Sequence, residues 1–268
     1  MHANTPKITE SNGMASGRWH FSIDRGGTFT DIVALDPAGR RHILKMLSEN
    51  PHMYADAALA GIESLLASNG GGSVASIKMG TTVATNALLE RKGDPTVLVI
   101  TAGFEDQLEI GTQARPDIFA RHIVKPQMLY ARVIGARERI RADGGIETAL
   151  DEAHLTQALL SARAEGICCA AIAFLHAYAH PEHEQRAARI AREAGFSQVS
   201  VSHEISPLIR ILPRADTTVA DAYLTPVLRR YVDRIADAIG RHESPDAPKL
   251  SFMTSAGGLT QGLSLIHI

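Results

Sequence analysis

Two acidic residues, two glycines and two threonines lie within the eight residues from Asp24 to Asp31, Asp-Arg-Gly-Gly-Thr-Phe-Thr-Asp. A tight glycine turn leaves backbone N–H groups facing outward, and the hydroxyls of Thr28 and Thr30 add donors, so the stretch could cradle a phosphate group. The Asp24 carboxylate could hold a cation, usually through water. The stretch has neither the Lys-Ser/Thr of a Walker loop nor the third glycine of a dinucleotide fingerprint. An ordinary hairpin with a Gly26-Gly27 tip is the alternative, and we favour phosphate binding.

The flanking pattern predicts strands that would position this loop. Phe21 and Ile23 alternate with Ser22, and residues 32–35 form an apolar run suited to a strand covered on both faces. Residues 40–47 predict a third strand after a turn. Three strands joined by turns indicate an antiparallel start to the sheet.

Downstream, helical and strand patterns alternate, so helical crossovers are expected to add parallel strands. The predicted helices are 53–67, 83–91, 104–108, 151–165, 181–194 and 215–239, and the predicted strands are 77–79, 96–101, 131–141, 168–175, 199–202 and 249–253. Asp143-Gly144-Gly145 predicts a hairpin. Pro226 is expected to kink the last helix or mark a boundary. The small-residue turn at 254–258 is what a second lobe closing over a nucleotide would supply, and a plain loop is the alternative.

Composition limits the classes of protein. The 268 residues carry a net charge of −2 and are 45% hydrophobic, which gives no reason to expect nucleic acid or an anionic membrane as a partner. No apolar run approaches the roughly 20 residues of a membrane span, and residues 1–18 predict a disordered leader, so a cytoplasmic location is expected.

Cys168 and Cys169 are adjacent in an apolar run and should point to opposite faces, without a disulfide or zinc-type spacing.

Six blocks in order resemble the ATP-dependent 5-oxoprolinase and hydantoinase A family, from about Trp19 to Gly262. The blocks are Ile23–Asp31, Met79–Arg91, Gly111–Arg115, Pro181–Glu184, Ala220–Pro226 and Gly257–Leu259. Arg25 and the Thr-Gln-Ala-Arg block look more like the oxoprolinase branch.

This resemblance implies an α/β fold similar to actin-like ATPases, with ribonuclease-H-like lobes around a nucleotide cleft. Residues 19–204 would form the N-terminal domain, and 205–262 the start of a second lobe. The A-type half of such an enzyme uses ATP and Mg²⁺ to phosphorylate the lactam oxygen of a cyclic amide such as 5-oxo-L-proline. A B-type half, fused or separate, completes ring opening to L-glutamate, with ADP and phosphate released.

The resemblance also assigns roles to individual residues. Asp24 would orient Mg²⁺, and the phosphates would lie against Gly26, Gly27, Thr28 and Thr30. Gly257 and Gly258 would belong to the nucleotide side. Thr81, Thr82 and Asn86 lie at a strand-to-helix junction whose N–H groups can face an anion, or Thr82 merely caps the helix while Asn86 faces solvent. Arg115 would hold the substrate carboxylate or a phosphate, or lie free on the surface.

Other side chains have more ordinary interpretations. His176, His180 and His183 resemble a metal cluster, but exposed or hydrogen-bonded histidines are favoured, and Tyr223 and Leu224 are expected in the core. A hydantoinase A subunit, an actin-fold small-molecule kinase and a non-catalytic ATP-binding activator are the alternative functions. The full-length protein is expected to be a homo-oligomer.

The last six residues, Leu263 to Ile268, depart from the family pattern. Leu-Ser-Leu-Ile-His-Ile is what the end of a common sequencing transposon adaptor encodes in frame. We expect these residues to be a library artefact and the chain to be the N-terminal portion of a longer protein, inactive alone. A genuine apolar tail is the alternative.

Overall fold

The computed structural model describes residues 17–114, 117, 119–239, 247–254 and 257–261. Most of the expected leader, Arg115 and the six terminal residues lie outside the described residues. The chain divides into two compact units, of which the first runs to Thr82 and resumes at Asp233, and the second spans Val83 to Val232.

The first unit is built on a six-stranded sheet in the order β12-β11-β4-β1-β2-β3. Its strands are β1 (Trp19–Arg25), β2 (Phe29–Leu35), β3 (Arg41–Leu47), β4 (Val74–Thr81), β11 (Lys249–Met253) and β12 (Leu259–Gln261). The first three form the predicted antiparallel meander, and β4 and β11 join it in parallel. An antiparallel start followed by parallel strands was predicted and is confirmed.

One helix covers the inner face of this sheet. Phe21, Ile23 and Ile32 point inward from the sheet, and α1 (Ala57–Ser68) packs on β1, β2 and β3. Gly61 permits this close approach, because a Cβ there would lie 2.1 Å from the Ile32 side chain. The helix begins later than predicted, since Asp56 caps it by accepting the N–H groups of Ala58 and Leu59.

The second unit contains a parallel sheet in the order β10-β9-β5-β6. Its strands are β5 (Thr96–Thr101), β6 (Arg132–Ala136), β9 (Cys169–Ala173) and β10 (Gln198–Val201). The strand β5 is buried at every position, as its β-branched content predicted. Apolar clusters lie on the sheet, one including Leu155 and Ile172 and another including Leu98 and Val219.

The remaining elements connect or cover these strands. They are α2 (Val83–Leu89), α3 (Gln107–Ile110), β7 (Arg139–Ile140), β8 (Ile146–Thr148), α4 (Glu152–Ala164), α5 (Glu182–Glu193), α6 (Ser202–Ile205) and α7 (Ile211–Ala238). Pro226 lies inside α7 and ends no element. Within the part of the chain that the structure describes, no helix has the length and apolar character needed to cross a bilayer.

The predicted strand over 131–141 is wrong. It consists of two strands, β6 in the parallel sheet and β7 in a hairpin with β8. Burial still alternates through Ile134, Ala136, Glu138 and Ile140, so the pattern continues across the point where the pairing partner changes. The hairpin at Asp143–Gly145 is confirmed.

The predicted strand over 249–253 is confirmed as β11. It hydrogen-bonds with β4 in the sheet that β1 begins, with Phe252 opposite Met79. The predicted small-residue turn therefore belongs to the same compact unit as the Asp24 loop. Sequence patterns could not show this, because the paired residues of β4 and β11, such as Ser76 and Lys249, are 173 residues apart.

Candidate functional site

The carboxyl ends of three neighbouring parallel strands, β1, β4 and β11, lie at one edge of the first sheet. The loop 26–28 follows β1, Thr82 follows β4, and Thr254, Gly257 and Gly258 follow β11. Residues 255 and 256 lie outside the described residues. Adjacent strands are spaced about 4.8 Å apart, so the strand ends that carry the two glycine segments are separated by about 10 Å. This edge therefore gathers most of the residues predicted from the sequence to bind phosphate.

The loop 26–28 is held from beneath by Ser48, a residue that the sequence analysis did not select. The Ser48 hydroxyl donates to the Gly26 carbonyl oxygen at 2.7 Å, and its N–H donates to the Thr28 carbonyl oxygen at 2.8 Å. Thr30 is fully buried and its hydroxyl lies 3.0 Å from that of Ser48. Since the Ser48 proton is committed to Gly26, Thr30 acts as the donor in this pair. Thr30 thus supports the loop from within, while Gly27 and Thr28 are exposed.

The loop is closed by a bond from the Gly26 N–H to the Phe29 carbonyl oxygen, at 3.1 Å. A Cβ on Gly26 would lie 3.0 Å from that same oxygen, so a side chain would push the loop open. Glycine at position 26 therefore allows its backbone to lie close to the carbonyl group of Phe29. The exposed backbone of Gly27 and Thr28 then faces outward at the sheet edge.

Asp24 lies on the outer face of β1, one residue before its end, with Gly80 opposite it on β4. The carboxylate is exposed and, among the described residues, has no ion-pair partner. A Cβ on Gly80 would lie 3.3 Å from Asp24 Oδ1, so glycine leaves room beside the carboxylate. Gly80 was part of a family block but was not predicted as a site residue. The observation that identifies Gly80 as a site residue is its pairing with Asp24, which only the register of the sheet reveals.

Thr81 is the last residue of β4 and Thr82 follows it, beside the last residue of β1. Thr81 is paired with Arg25, and both the N–H and the hydroxyl of Thr82 donate to the Arg25 carbonyl oxygen, at 3.1 and 3.3 Å. The Thr82 hydroxyl therefore ties two strand ends together. Asn86 is half-buried on α2, in the second compact unit.

The turn after β11 is closed by Thr254. Its N–H and hydroxyl both donate to the Gly258 carbonyl oxygen, at 2.8 and 3.3 Å, and the Gly257 N–H donates to the Thr254 carbonyl oxygen at 2.9 Å. Gly257 adopts φ +79°, a conformation that favours glycine. The turn leads directly into β12, which pairs with β11.

Arg115, predicted to bind a carboxylate or phosphate, lies outside the described residues. The residues before it belong to the second unit, where Gln113 has φ +60°. Gln113 and Ala114 line a pocket of about 280 Å³ together with Ile110 and Lys125.

The three candidate histidines form no metal-ligand group within the described residues. His183 is buried and its Nδ1 lies 2.7 Å from Glu138 Oε2, while the other oxygen of Glu138 accepts the Thr101 hydroxyl. The favoured interpretation, a hydrogen-bonded histidine, is confirmed for His183. Tyr223 lies in the core as predicted, with 6% of its surface exposed.

The donor set at the sheet edge fits a magnesium nucleotide. Mg²⁺ is commonly bound through one or two carboxylates together with phosphate oxygens and water, and Asp24 supplies one exposed carboxylate. The N–H groups of Gly27 and Thr28 and the Thr28 hydroxyl suit phosphate oxygens. The missing Cβ atom of Gly80 leaves space beside the Asp24 carboxylate.

Fold and sheet edge together define an α/β protein of the actin-like ATPase type. The hydantoinase/oxoprolinase N-terminal region matches residues 20–195, and a second model, hydantoinase/oxoprolinase, matches residues 214–264. The chain belongs to the hydantoinase/oxoprolinase family.

Named relatives include a 5-oxoprolinase of Saccharomyces cerevisiae, 38% identical over 93% of this chain and 22% of that protein. The caprolactamase subunit alpha of Pseudomonas jessenii is 36% identical over 93% of this chain and 37% of its own length.

Among solved structures, the ATP-dependent caprolactamase from Pseudomonas jessenii superposes with a TM-score of 0.76 at 34% identity, covering 91% of this chain and 36% of that chain. A nucleotide-free acetone carboxylase has a TM-score of 0.72 at 23% identity over 91% of this chain and 37% of its own, which shows the shared fold alone. The chain spans about a fifth of the length of the 5-oxoprolinases it matches.

Proposed function

We propose that this chain is the nucleotide-binding, N-terminal part of an ATP-dependent cyclic amide hydrolase. The observation that carries the proposal is the convergence of the loop 26–28, Asp24 and the turn 254–258 at one edge of a single sheet. Family membership supports the reaction class, because the relatives are named for two lactams, 5-oxoproline and caprolactam.

In this proposal ATP and Mg²⁺ are the cofactors. Asp24 holds Mg²⁺, mostly through water, and the N–H groups of Gly27 and Thr28 receive phosphate oxygens. Gly26 shapes the loop, because its own N–H donates to the Phe29 carbonyl oxygen. Gly257 and Gly258 border the nucleotide from the other side of β4. Thr30 and Thr82 position the backbone of the site and do not bind phosphate through their hydroxyls. These hydroxyls are hydrogen-bonded to Ser48 and to the Arg25 carbonyl oxygen.

The bound nucleotide supplies a phosphoryl group for the amide oxygen of the substrate. An unstrained amide is a poor electrophile, and a phosphorylated amide oxygen is a good leaving group. The residues at the sheet edge contribute by positioning the phosphates and by neutralising their charge. We propose 5-oxo-L-proline as the substrate, because two 5-oxoprolinase relatives are 38% and 39% identical to this chain and the caprolactamase subunit is 36% identical. We propose a B-type half as the partner that completes ring opening.

Equilibrium binding to the 268-residue chain tests the nucleotide site directly. A fluorescent ADP analogue should bind in the presence of Mg²⁺, and the Asp24→Asn variant should lose most of the Mg²⁺ dependence. Asp31→Asn is a matched control, because Asp31 lies opposite Asp24 on β2 but pairs with Lys45. Binding unaffected by both Mg²⁺ and Asp24→Asn would refute the assignment of Asp24.

The substrate is tested in a chimera in which these residues replace the matching segment of the yeast 5-oxoprolinase. ADP release should depend on 5-oxoproline in the chimera and fall in its Asp24→Asn version. An assembled chimera that releases ADP with caprolactam and not with 5-oxoproline would refute 5-oxo-L-proline as the substrate.

A further inference from the structure

Cys168 and Cys169 do not point to opposite faces as the strand pattern predicted. Their Sγ atoms lie 3.6 Å apart. The reason is that Cys168 precedes β9, and the N–H groups of both cysteines donate to the single carbonyl oxygen of Pro95, at 3.2 and 3.1 Å. Cys168 therefore lies outside the alternation of the strand, and its thiol lies beside that of Cys169.

A carboxylate completes this group from a distant part of the sequence. Asp94 Oδ2 lies 3.9 Å from Cys168 Sγ, and one ligand atom from each of the three residues lies within 4.8 Å of the others. Cys169 is fully buried, whereas Cys168 is partly exposed and gives access from solvent.

Asp94 is held in place from α7. Arg230 donates to both carboxylate oxygens of Asp94, at 2.6 and 2.7 Å, and the Asp94 N–H donates to the Tyr223 carbonyl oxygen at 3.1 Å. A ligand carboxylate oriented by a neighbouring side chain is a usual feature of metal sites.

We propose that Asp94, Cys168 and Cys169 form a zinc site, with water as the fourth ligand. Two sulfurs bound to a tetrahedral Zn²⁺ at about 2.3 Å each are separated by about 3.8 Å, close to the spacing found here. Two thiolates and one carboxylate carry three negative charges, which Zn²⁺ and Arg230 neutralise together. The site would link the segment before β5 to the start of β9, within the second compact unit, with Arg230 of α7 beside Asp94. It is independent of the proposed nucleotide site.

Cobalt substitution tests this proposal on the 268-residue chain. Bound metal is first removed from the chain with a chelator. A thiol assay then verifies that both cysteines are reduced, and Co²⁺ is added under anaerobic conditions. One equivalent of Co²⁺ should produce thiolate-to-cobalt charge-transfer absorption together with the visible bands of a tetrahedral ion, and Zn²⁺ should abolish both. Binding to surface histidines produces no charge-transfer band.

Variants separate the ligands from the supporting residue. Cys168→Ser should remove the charge-transfer band, and Arg230→Gln should weaken Co²⁺ binding about 10- to 100-fold. Asp31→Asn, an exposed carboxylate elsewhere, should leave binding unchanged. Added Zn²⁺ should also raise the melting temperature of the wild-type chain and not that of Cys168→Ser.

Absence of the band in a folded wild-type chain, or thiols that cannot be kept reduced and free of each other, would overturn the proposal. The wild-type spectrum decides the question even if a cysteine variant fails to fold.

Discussion

The Ser48 hydroxyl donates to the Gly26 carbonyl oxygen at 2.7 Å and links the end of β3 to the loop that we assign to phosphate binding. The same hydroxyl accepts the bond from buried Thr30. One small side chain therefore fixes the loop from below while its outer surface stays free for a ligand.

Replacing Ser48 with alanine should loosen this loop. The Gly26 carbonyl oxygen and the Thr30 hydroxyl lose their partner, which should reduce the free energy of unfolding by about 1–2 kcal/mol and weaken binding of the ADP analogue. Emission from the single tryptophan, Trp19, which is buried in the same sheet, can follow unfolding in urea. Ser64→Ala, on the exposed face of α1, is the control, and an equal effect of both changes would contradict the role of Ser48.

Gly80→Ala should affect the cation more than the fold. The new Cβ would lie 3.3 Å from Asp24 Oδ1, and the exposed carboxylate can turn away at little cost. We expect the Mg²⁺ concentration needed for nucleotide binding to rise about tenfold, with a small change in the free energy of unfolding. Ser22→Ala, on the same outer face of β1, should leave the Mg²⁺ requirement as it is. An unchanged requirement in Gly80→Ala would place the cation elsewhere.

Arg214 is a fully buried cation whose removal should be costly. Its guanidinium lies 3.5 Å from Glu184 and also bonds to Ser202 and to the Phe174 carbonyl oxygen. Burial lowers the pKa of Arg214, and Glu184 opposes that shift. Arg214→Met leaves the Glu184 charge without its cation, so the free energy of unfolding should fall by about 3–5 kcal/mol.

The matched control for this change is Arg186→Met, which breaks an exposed ion pair with Glu152 and should cost at most about 1 kcal/mol. Urea unfolding followed by circular dichroism measures both variants. Adding Glu184→Gln to Arg214→Met should recover part of the lost free energy of unfolding. A further decrease in that free energy would show that the unpaired charge of Glu184 does not cause the destabilisation.

Asp36 should make the first unit sensitive to acid. Burial raises its pKa, but hydrogen bonds from His42 and from the N–H and guanidinium of Arg40 outweigh this, so the pKa lies well below its usual value of 3.8. A carboxyl with a lowered folded-state pKa stabilises the fold above pH 4, and this contribution is lost as the pH falls through the folded-state pKa.

The comparison with Asp36→Asn tests this effect. The urea midpoint of the wild-type chain should exceed that of Asp36→Asn near pH 6, and the difference should shrink as the pH falls below about 4. Trp19 reports on this region because its ring lies 5.2 Å from that of His42. A difference that stays constant with pH would show that the Asp36 charge is not involved.

Local sequence determined the elements and the loop chemistry. Alternation at Phe21 and Ile23, and the apolar run of β5, fix strands wherever the chain goes, because side-chain direction follows from backbone geometry alone. Glycine and threonine between Asp24 and Asp31 likewise indicated a phosphate loop before any partner strand was known.

Contacts between distant residues were decided by the tertiary structure. The pairing of Asp24 with Gly80, the support of Gly26 by Ser48, and the entry of β11 into the first sheet all depend on which strands become neighbours. The bonds of both cysteine N–H groups to the Pro95 carbonyl oxygen place Cys168 next to Asp94, 74 residues away. Such contacts cannot be predicted from one sequence, since spacing along the chain carries no information about register between strands.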